Sequence, residues 1–308
     1  MNNLEKIDQE LLSQIIDMHN VLQATFNIRK NGQSIARQSD DDIKIISKKN
    51  KQGINIYIKP GIKNKSVHIP VIITETNLTE NVYNDFYIGE NCDITIVAGC
   101  GIHNPGKQKS EHNGIHSFHI GKNSKVIYLE KHLGIGKSGE KVLNPITEIE
   151  IENDSCLEME TIQLGGVSSS VRTTNAKLKN NAKLIIKERI LTAEKQSAIT
   201  NFNVELIGKN SSVDVISRSV AKDNSYQEFN SNLIGKNECF GHVECDAIIT
   251  GKAKISSTPR IVAEDVNASL VHEAAIGKIA GDQVTKLLSL GLSHTQAEDV
   301  IIKGFLKG

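Results

Sequence analysis

Two stretches of the chain gather side chains that could hold a soft or borderline metal. Cys239-Phe240-Gly241-His242-Val243-Glu244-Cys245 has C-x2-H-x2-C spacing, and Gly99-Cys100-Gly101-Ile102-His103 leads through a polar passage to Glu111-His112-Asn113-Gly114-Ile115-His116. Thiolate and imidazole together suit zinc or iron. Read as a regular strand, the first stretch puts Cys239 and Cys245 on one face, roughly 20 Å apart, with His242 on the other. One ion reaches all three only if Gly241 bends the chain. Otherwise each joins ligands from a neighbouring coil or a partner subunit, or the cysteines simply pack as small buried hydrophobes. The second stretch reads as a long loop with Cys100, His103, His112 and His116 as candidate ligands, or as a solvated excursion; its spacing matches no zinc ribbon.

Other chemistries are poorly served. Gly134-Ile135-Gly136-Lys137-Ser138-Gly139 fits G-x-G-x-x-G and contains Gly-Lys-Ser. No helical pattern follows, and Lys131 stands where a Walker A motif needs its first glycine, so the segment reads as a turn. There is no G-x-S-x-G elbow and no H-E-x-x-H pair, since His272-Glu273 runs on into Ala-Ala-Ile. Glu148, Glu150, Glu152, Glu158 and Glu160 could line a carbohydrate groove. Alternating Glu and apolar residues are also the ordinary mark of a solvated strand face.

The elements that must position these residues follow from a recurring phrase. Ile88-Gly89-Glu90-Asn91, Ile120-Gly121-Lys122-Asn123, Ile207-Gly208-Lys209-Asn210 and Ile234-Gly235-Lys236-Asn237 are its clearest copies, with weaker ones at Asn153 and Asn181. Glycine and asparagine both tolerate the backbone of a sharp turn. Short alternating runs follow, such as Asp93-Ile94-Thr95-Ile96-Val97 and Val213-Asp214-Val215-Ile216-Ser217. The turns recur at steps of roughly 27 to 32 residues, the range of solenoids and arrays. A β-sandwich also uses short strands with Gly and Asn punctuation. The near-constant phase and the lack of two-residue hairpins favour a β-solenoid.

Composition agrees. The 308 residues are 38% hydrophobic and only 4% aromatic, with no Trp, so Ile, Val and Leu must fill the core. Lys plus Arg balance Asp plus Glu at 36 each, which implies no nucleic-acid partner. Five cysteines, an odd number in a chain with Glu5, Lys6, Asp8 and Glu10 near its start, speak against a disulfide framework and a signal peptide. No uncharged apolar run of 18 residues exists, so no membrane span is expected, and the chain is placed in a reducing cytoplasm.

Residues 1–24 read as an amphipathic helix through Leu4, Ile7, Leu11, Ile15, Met18 and Leu22, and 27–53 as a polar arm or linker. The solenoid is expected over 54–270. Residues 271–308 form a C-terminal helical lobe: Asp282 caps a helix burying Val284, Leu287 and Leu288 that ends at Gly291. Ser293, with Gln296, caps a second one burying Ala297, Val300, Ile301 and Phe305. The hairpin either covers the last coil or docks another protein.

The run Val271-His272-Glu273-Ala274-Ala275-Ile276-Gly277-Lys278-Ile279, continuing through Gln283, Gly291 and Gly304-Phe305, resembles the C-terminal signature of the SufB/SufD family of iron–sulfur cluster assembly scaffolds. Ser231-Asn232-Leu233-Ile234-Gly235 and the following Cys-x2-His extend the likeness, and the short N-terminal arm resembles compact, SufB-like members. The resemblance implies a right-handed parallel β-helix, dimerisation with itself or with a SufB/SufD homologue, and docking of the C-terminal helices onto a SufC-type ABC ATPase. ATP chemistry would then belong to the partner and this chain would be no enzyme. A transient iron–sulfur cluster, a sulfur donor and apo-protein recipients are implied as well. Family members link a cysteine and a glutamate to the nascent cluster. Glu273 matches the glutamate, while Phe229 falls on or near the cysteine position and His272 matches a histidine of SufD-type members. The implied ligand set is therefore His272 and Glu273 brought near Cys239 or Cys245 in a dimer, with Cys100 as the alternative. A SufD-like companion without a cluster of its own is the second reading.

Overall fold

The computed structural model describes residues 4–16 and 24–307. Two ten-stranded sheets face each other along one axis. The first is built from β1 (Thr25–Lys30), β5 (Lys63–Ile73), β7 (Asp93–His103), β9 (Lys125–Ile135), β12 (Cys156–Leu164), β14 (Lys183–Thr192), β16 (Ser211–Ala221), β18 (Cys239–Ile249) and β20 (Ala268–Gly277), in that order, with β2 (Gln33–Gln38) outside β1. The second runs β3 (Ile43–Ser47), β4 (Gly53–Ile58), β6 (Thr79–Ile88), β8 (Ser110–Ile120), a strand split into β10 (Lys141–Leu143) and β11 (Ile146–Ile151), β13 (Ser169–Leu178), β15 (Ser197–Leu206), β17 (Tyr226–Gly235) and β19 (Lys254–Ala263). Pairing is parallel throughout except for the hairpins β1–β2 and β3–β4. The chain therefore winds from sheet to sheet as a β-solenoid of about eight turns. The pairs Asp93–Lys125 and Cys156–Lys183 set coil lengths of 32 and 27 residues, the span expected from the repeat.

The turns divide their labour differently from the expectation. Asn91, Asn123, Asn181 and Asn210 carry the left-handed backbone, with φ between 53° and 58°, and in the weaker copy Asp154 rather than Asn153 takes it at 61°. The glycines before them do not. Gly208 is needed because a Cβ there would sit 2.1 Å from the backbone N of Asn180 in the preceding coil, and Gly121 repeats the close approach at Glu90. Turn side chains also bond from coil to coil: Asn210 Nδ2 donates to Asn181 Oδ1 at 3.2 Å, and Asn181 Nδ2 to Asp154 Oδ1 at 2.8 Å.

Alternation decides the core. Isoleucine, valine and leucine fill it from Ile43 to Val243, with Phe86 stacked on Phe118 at 4.6 Å. The segment expected as a polar arm is not one: β1 pairs with β5, and β3 with β4, so the body begins at Thr25 and runs on to Gly277. The N-terminal helix α1 (Lys6–Ile15) is shorter than the stretch expected, and Met18 and Leu22 lie outside the described residues. It buries Leu11, Leu12 and Ile15 against Phe26, Ile28, Ile72 and Leu133, contributing roughly 1.5–3 kcal/mol for each fully buried side chain. Gly99 and Gly101 make room for it, because a Cβ at Gly99 would lie 2.3 Å from Ile15 Cγ2.

At the other end α2 (Gly281–Ser289) and α3 (His294–Lys307) form the expected hairpin. Gly291 has φ 90°, and Ser293 and Gln296 close a capping box, the Ser293 amide donating to Gln296 Oε1 at 2.8 Å. The first helix starts earlier than expected, with Ala280 rather than Asp282 at its N-cap. The buried residues are Val284, Ala297, Ile302 and Leu306, whereas Leu288 and Val300 stay exposed. Ile302 and Leu306 pack on Val220, Leu191 and Ile248, on the flank of the solenoid. The hairpin thus does not cover the last coil, and β19 and β20 remain mostly solvent-facing. Among the described residues no helix is long and apolar enough to cross a membrane.

Candidate functional site at the open end of the solenoid

The C-x2-H-x2-C stretch is the whole inner and outer repeat of β18. Cys239, Gly241, Val243 and Cys245 point inward, and Phe240, His242 and Glu244 outward. No bend gathers them, since β18 keeps unbroken register with both neighbours. Gly241 serves packing instead, a Cβ there meeting Leu270 Cδ2 at 2.7 Å.

Register with β20 ranks the two cysteines. Cys245 pairs with Ala274 and Val243 with His272, so Cys245 and His272 are diagonal inward neighbours on adjacent strands, about 7–8 Å apart by strand geometry. Cys239 pairs with Ala268, four positions from His272. Opposite them β19 places Ser257, whose strand neighbour is Phe229. Phe229 is buried against Phe202, with ring centroids 5.6 Å apart, and offers no ligand. Both ring nitrogens of His272 are buried with no hydrogen-bond partner in the chain, and the hydroxyl of Ser257 has none beyond the Cys245 thiol beside it. Such orphaned groups in the last coil, where the inner space opens outward, are what an incoming ligand or a second chain would satisfy. Burial pushes the Cys245 thiol up to about 11, eased by the Ser257 hydroxyl beside it, so it is a thiol until a metal displaces the proton.

Glu273 lies on the other face. It is exposed, and its Oε2 is 3.8 Å from Nε2 of His242, whose Nδ1 meets Asp214 Oδ1 at 2.9 Å. The hydrogen bond to Asp214, with Glu273 nearby, raises the His242 pKa, whereas burial lowers that of His272. Within one chain the expected set is therefore divided: His272 goes with Cys245 inside, Glu273 with His242 outside.

The loop expected to carry Cys100 and three histidines is two strands joined by a short turn. Cys100 is on β7, fully buried among Val71, Ile73, Ile102, Leu143 and Val167, and burial drives its thiol pKa well up. His103 ends β7, while His112 and His116 face inward on β8. The Gly-Lys-Ser segment is a turn, its Gly136 and Ser138 carbonyls accepting from Lys141 Nζ at 2.9 and 3.1 Å. Three carboxylates of the expected groove are paired with cations of the next coil, Glu152 with Lys179 at 2.5 Å, Glu158 with Lys187 at 2.7 Å, and Glu160 with Arg189, while Glu148 accepts from Asn175 Nδ2 at 2.7 Å and Glu150 faces His119 Nδ1 at 3.4 Å.

Sequence reading missed a buried polar chain inside the solenoid. Arg29 donates to Glu80 at 2.6 Å, and Glu80 pairs with His112 Nδ1 at 3.1 Å. Further along, Tyr128 donates to Glu130 at 2.8 Å, and Arg172 binds Glu130, His132 and the vicinity of Glu188. Thr200 and Ser217 donate to Glu188, both at 3.0 Å, and Ser217 pairs in register with Cys245. Burial pushes Glu130 upward, but Arg172, His132 and His116 outweigh it and hold the carboxyl far below its usual range; at Glu188 burial wins and the pKa is raised. Burial lowers His116 to about 4 and His132 to about 3. The signal was present, since these charges stand at inward positions of the alternation.

The SUF system FeS cluster assembly SufBD core domain matches residues 73–305. An iron-sulfur cluster assembly SufBD family protein of Methanocaldococcus jannaschii is 29% identical over 285 residues, covering 91% of this chain and 89% of that protein. One from Archaeoglobus fulgidus is 28% identical over 262 residues, 83% of this chain and 69% of the relative. A third, from Methanothermobacter thermautotrophicus, is 28% identical over 242 residues, 77% and 57% of the two chains.

Proposed function

The chain belongs to the SufBD family, and from that premise we propose that it is a scaffold on which iron–sulfur clusters are assembled, not an enzyme in its own right. The observation that carries this reading is the unfinished inner face of the last coil, where Cys245, Ser257 and His272 turn inward and both ring nitrogens of His272 lack partners. One thiol, one imidazole and one hydroxyl are too few for a cluster, whose irons are held mainly by thiolates. A second copy of this chain, or a homologous one, joined at β19 and β20 would double the set and bring Glu273 from its outer face toward the junction. Cys239 is the reserve thiol. Imidazole and carboxylate ligands would hold the cargo less firmly than thiolate, as a transfer site requires.

The C-terminal hairpin is the proposed dock for a SufC-type ABC ATPase, with ATP hydrolysis in that partner and the whole assembly in the cytoplasm. Its packing on the flank of the solenoid leaves Leu288, Leu290 and Val300 exposed for such contact. A sulfur donor and apo-protein recipients complete the proposed partners. The test is anaerobic purification of the chain co-expressed with its ATPase, followed by iron and acid-labile sulfide assay. Stoichiometric iron and sulfide that vanish on Cys245→Ser support the scaffold role. A colourless complex with the ATPase bound overturns it in favour of a companion subunit.

A further inference from the structure

Two hydroxyls lie near the Cys245 thiol inside the last coils, and their hydrogen bonds give them opposite parts. Ser217 is the register partner of Cys245 on β16, one coil below it, and Ser257 is on β19 in the opposite sheet. All three side chains take inward positions of the alternation.

Ser217 is already engaged. Its hydroxyl donates to Glu188 Oε2 at 3.0 Å, and Thr200 donates to the other oxygen, also at 3.0 Å. The Arg172 guanidinium lies 3.7 Å from Oε1. Facing a cation and two hydroxyls, the Glu188 carboxylate accepts on both oxygens. The proton of Ser217 therefore points down the solenoid, and toward Cys245 the residue offers only lone pairs.

Ser257 is the reverse case. Its hydroxyl is buried and has no partner other than the thiol. Phe229, its strand neighbour, gives it neither donor nor acceptor and is packed against Phe202. A hydroxyl with a single polar neighbour directs its proton there, because a buried donor left without an acceptor costs about 1–3 kcal/mol. Sulfur accepts weakly as a thiol and more strongly as a thiolate. A neutral hydroxyl is, in contrast, a poor rival to thiolate and imidazole as a ligand for iron.

On the scaffold reading above, we infer that Ser257 is a positioning residue for the cargo and not one of its ligands: it donates a hydrogen bond to the sulfur of Cys245, which orients that sulfur and supports its charge once iron has displaced the proton. Ser217, although directly in register with Cys245, serves Glu188 instead. Hydrogen bonds to the sulfurs are among the features that set the reduction potential of an iron–sulfur cluster, and each such bond raises it.

Raman spectra of the full chain without iron read the contact itself, because the S–H stretch falls in a window clear of other protein bands. The Cys245 band is identified by its loss in Cys245→Ser. Ser257→Ala should displace this band, Ser257→Thr, which keeps the hydroxyl, should return it, and Ser217→Ala should leave it in place, all three folded by circular dichroism. The second measurement is the reduction potential of the ATPase complex loaded anaerobically with ferrous iron and sulfide. Ser257→Ala should keep iron and sulfide at the parental stoichiometry and shift the potential downward, with Ser257→Thr near the parent. An unmoved S–H band in Ser257→Ala, or an equal displacement in Ser217→Ala, would overturn the assignment whatever the iron content. Loss of iron from Ser257→Ala as complete as that from Cys245→Ser would make the hydroxyl a ligand and overturn it too. A band displaced as expected in a chain that takes up no iron supports the hydrogen bond and overturns the scaffold reading instead.

Discussion

Arg172 and Glu130 bind each other at the centre of the solenoid, 42 residues apart in the chain and almost wholly out of water. Removing one partner leaves the other charge buried. Arg172→Met should lower stability by about 3–5 kcal/mol, whereas Arg172→Met with Glu130→Gln should recover part of the loss. Urea unfolding of the single and double variants measures both, and equal stability of Arg172→Met and the parent would show that the pair is not sealed from solvent.

Acid should loosen the same interior. Burial keeps the folded pKa of His132 at about 3 and of His116 at about 4, against an ordinary value of 6.5. In the unfolded chain these rings take protons first, so stability is full above about pH 6.5 and falls as pH drops toward 4 and then 3. Glu130, held low in the fold, adds loss in the more acid part of that window, below its unfolded pKa near 4.5. Thermal unfolding at pH 7.5, 6 and 5 should show a steadily falling midpoint. His132→Gln should flatten the upper part of the curve.

The two late cysteines should not be equivalent. Cys245 is the diagonal inward neighbour of His272, while Cys239 lies four register positions away. Cys245→Ser should abolish iron and sulfide retention in the anaerobic complex and Cys239→Ser should reduce it only in part. The opposite ranking would move the cargo to the other end of β18.

Val300 is 48% exposed on α3, on a face that does not touch the solenoid. Val300→Asp should leave the fold intact and weaken capture of the ATPase by at least about tenfold, the loss of roughly 1.4 kcal/mol. Pull-down with the purified ATPase checks it, and undiminished capture would free the hairpin from the docking role.

At the turns, Gly208→Ala should cost at least about 1–3 kcal/mol, because the new methyl meets backbone of the preceding coil rather than a side chain that can swing away. Asn210→Ala should cost less, losing a left-handed residue and one inter-coil hydrogen bond. Denaturant midpoints of the two variants decide whether glycine or asparagine is the more exacting part of the phrase.

The solenoid was legible because its turns make a local demand. A left-handed turn residue favours Asn or Asp, so Asn91, Asn123 and Asn210 mark the winding by themselves, although Asn237 in the last copy of the phrase is not left-handed and Glu194 takes that backbone in another turn. The segment from Thr25 to Ser47 was not legible, because its charged and polar residues read as a linker until β5 and β4 are present to pair with β1 and β3. The polar interior was hidden for a related reason. Alternation says that Glu80 and His112 face inward, but only the coil length brings them side by side, and they are direct register partners on β6 and β8. The loop assigned around Cys100 failed because Gly99 and Gly101 suggested turns, whereas they stay within β7 and leave space for α1. At the open end, the sequence singled out His272 and Glu273 as candidates but not their opposite orientation, which any uninterrupted strand imposes on consecutive residues.

The two poles of the solenoid are unlike. One ends in the short antiparallel strands β2 and β3, with α1 laid over the adjoining coils; the other ends in β19 and β20, each ten residues long, parallel to the body and with one row of backbone groups unpaired. Short charged edges resist strand addition and long bare ones invite it. A molecule sticky at both poles would string into filaments, as head-to-tail contacts do when they fail to close. The end-to-end joining proposed above would therefore be self-terminating: two such bodies would exhaust each other's free edges, and growth would stop at a pair.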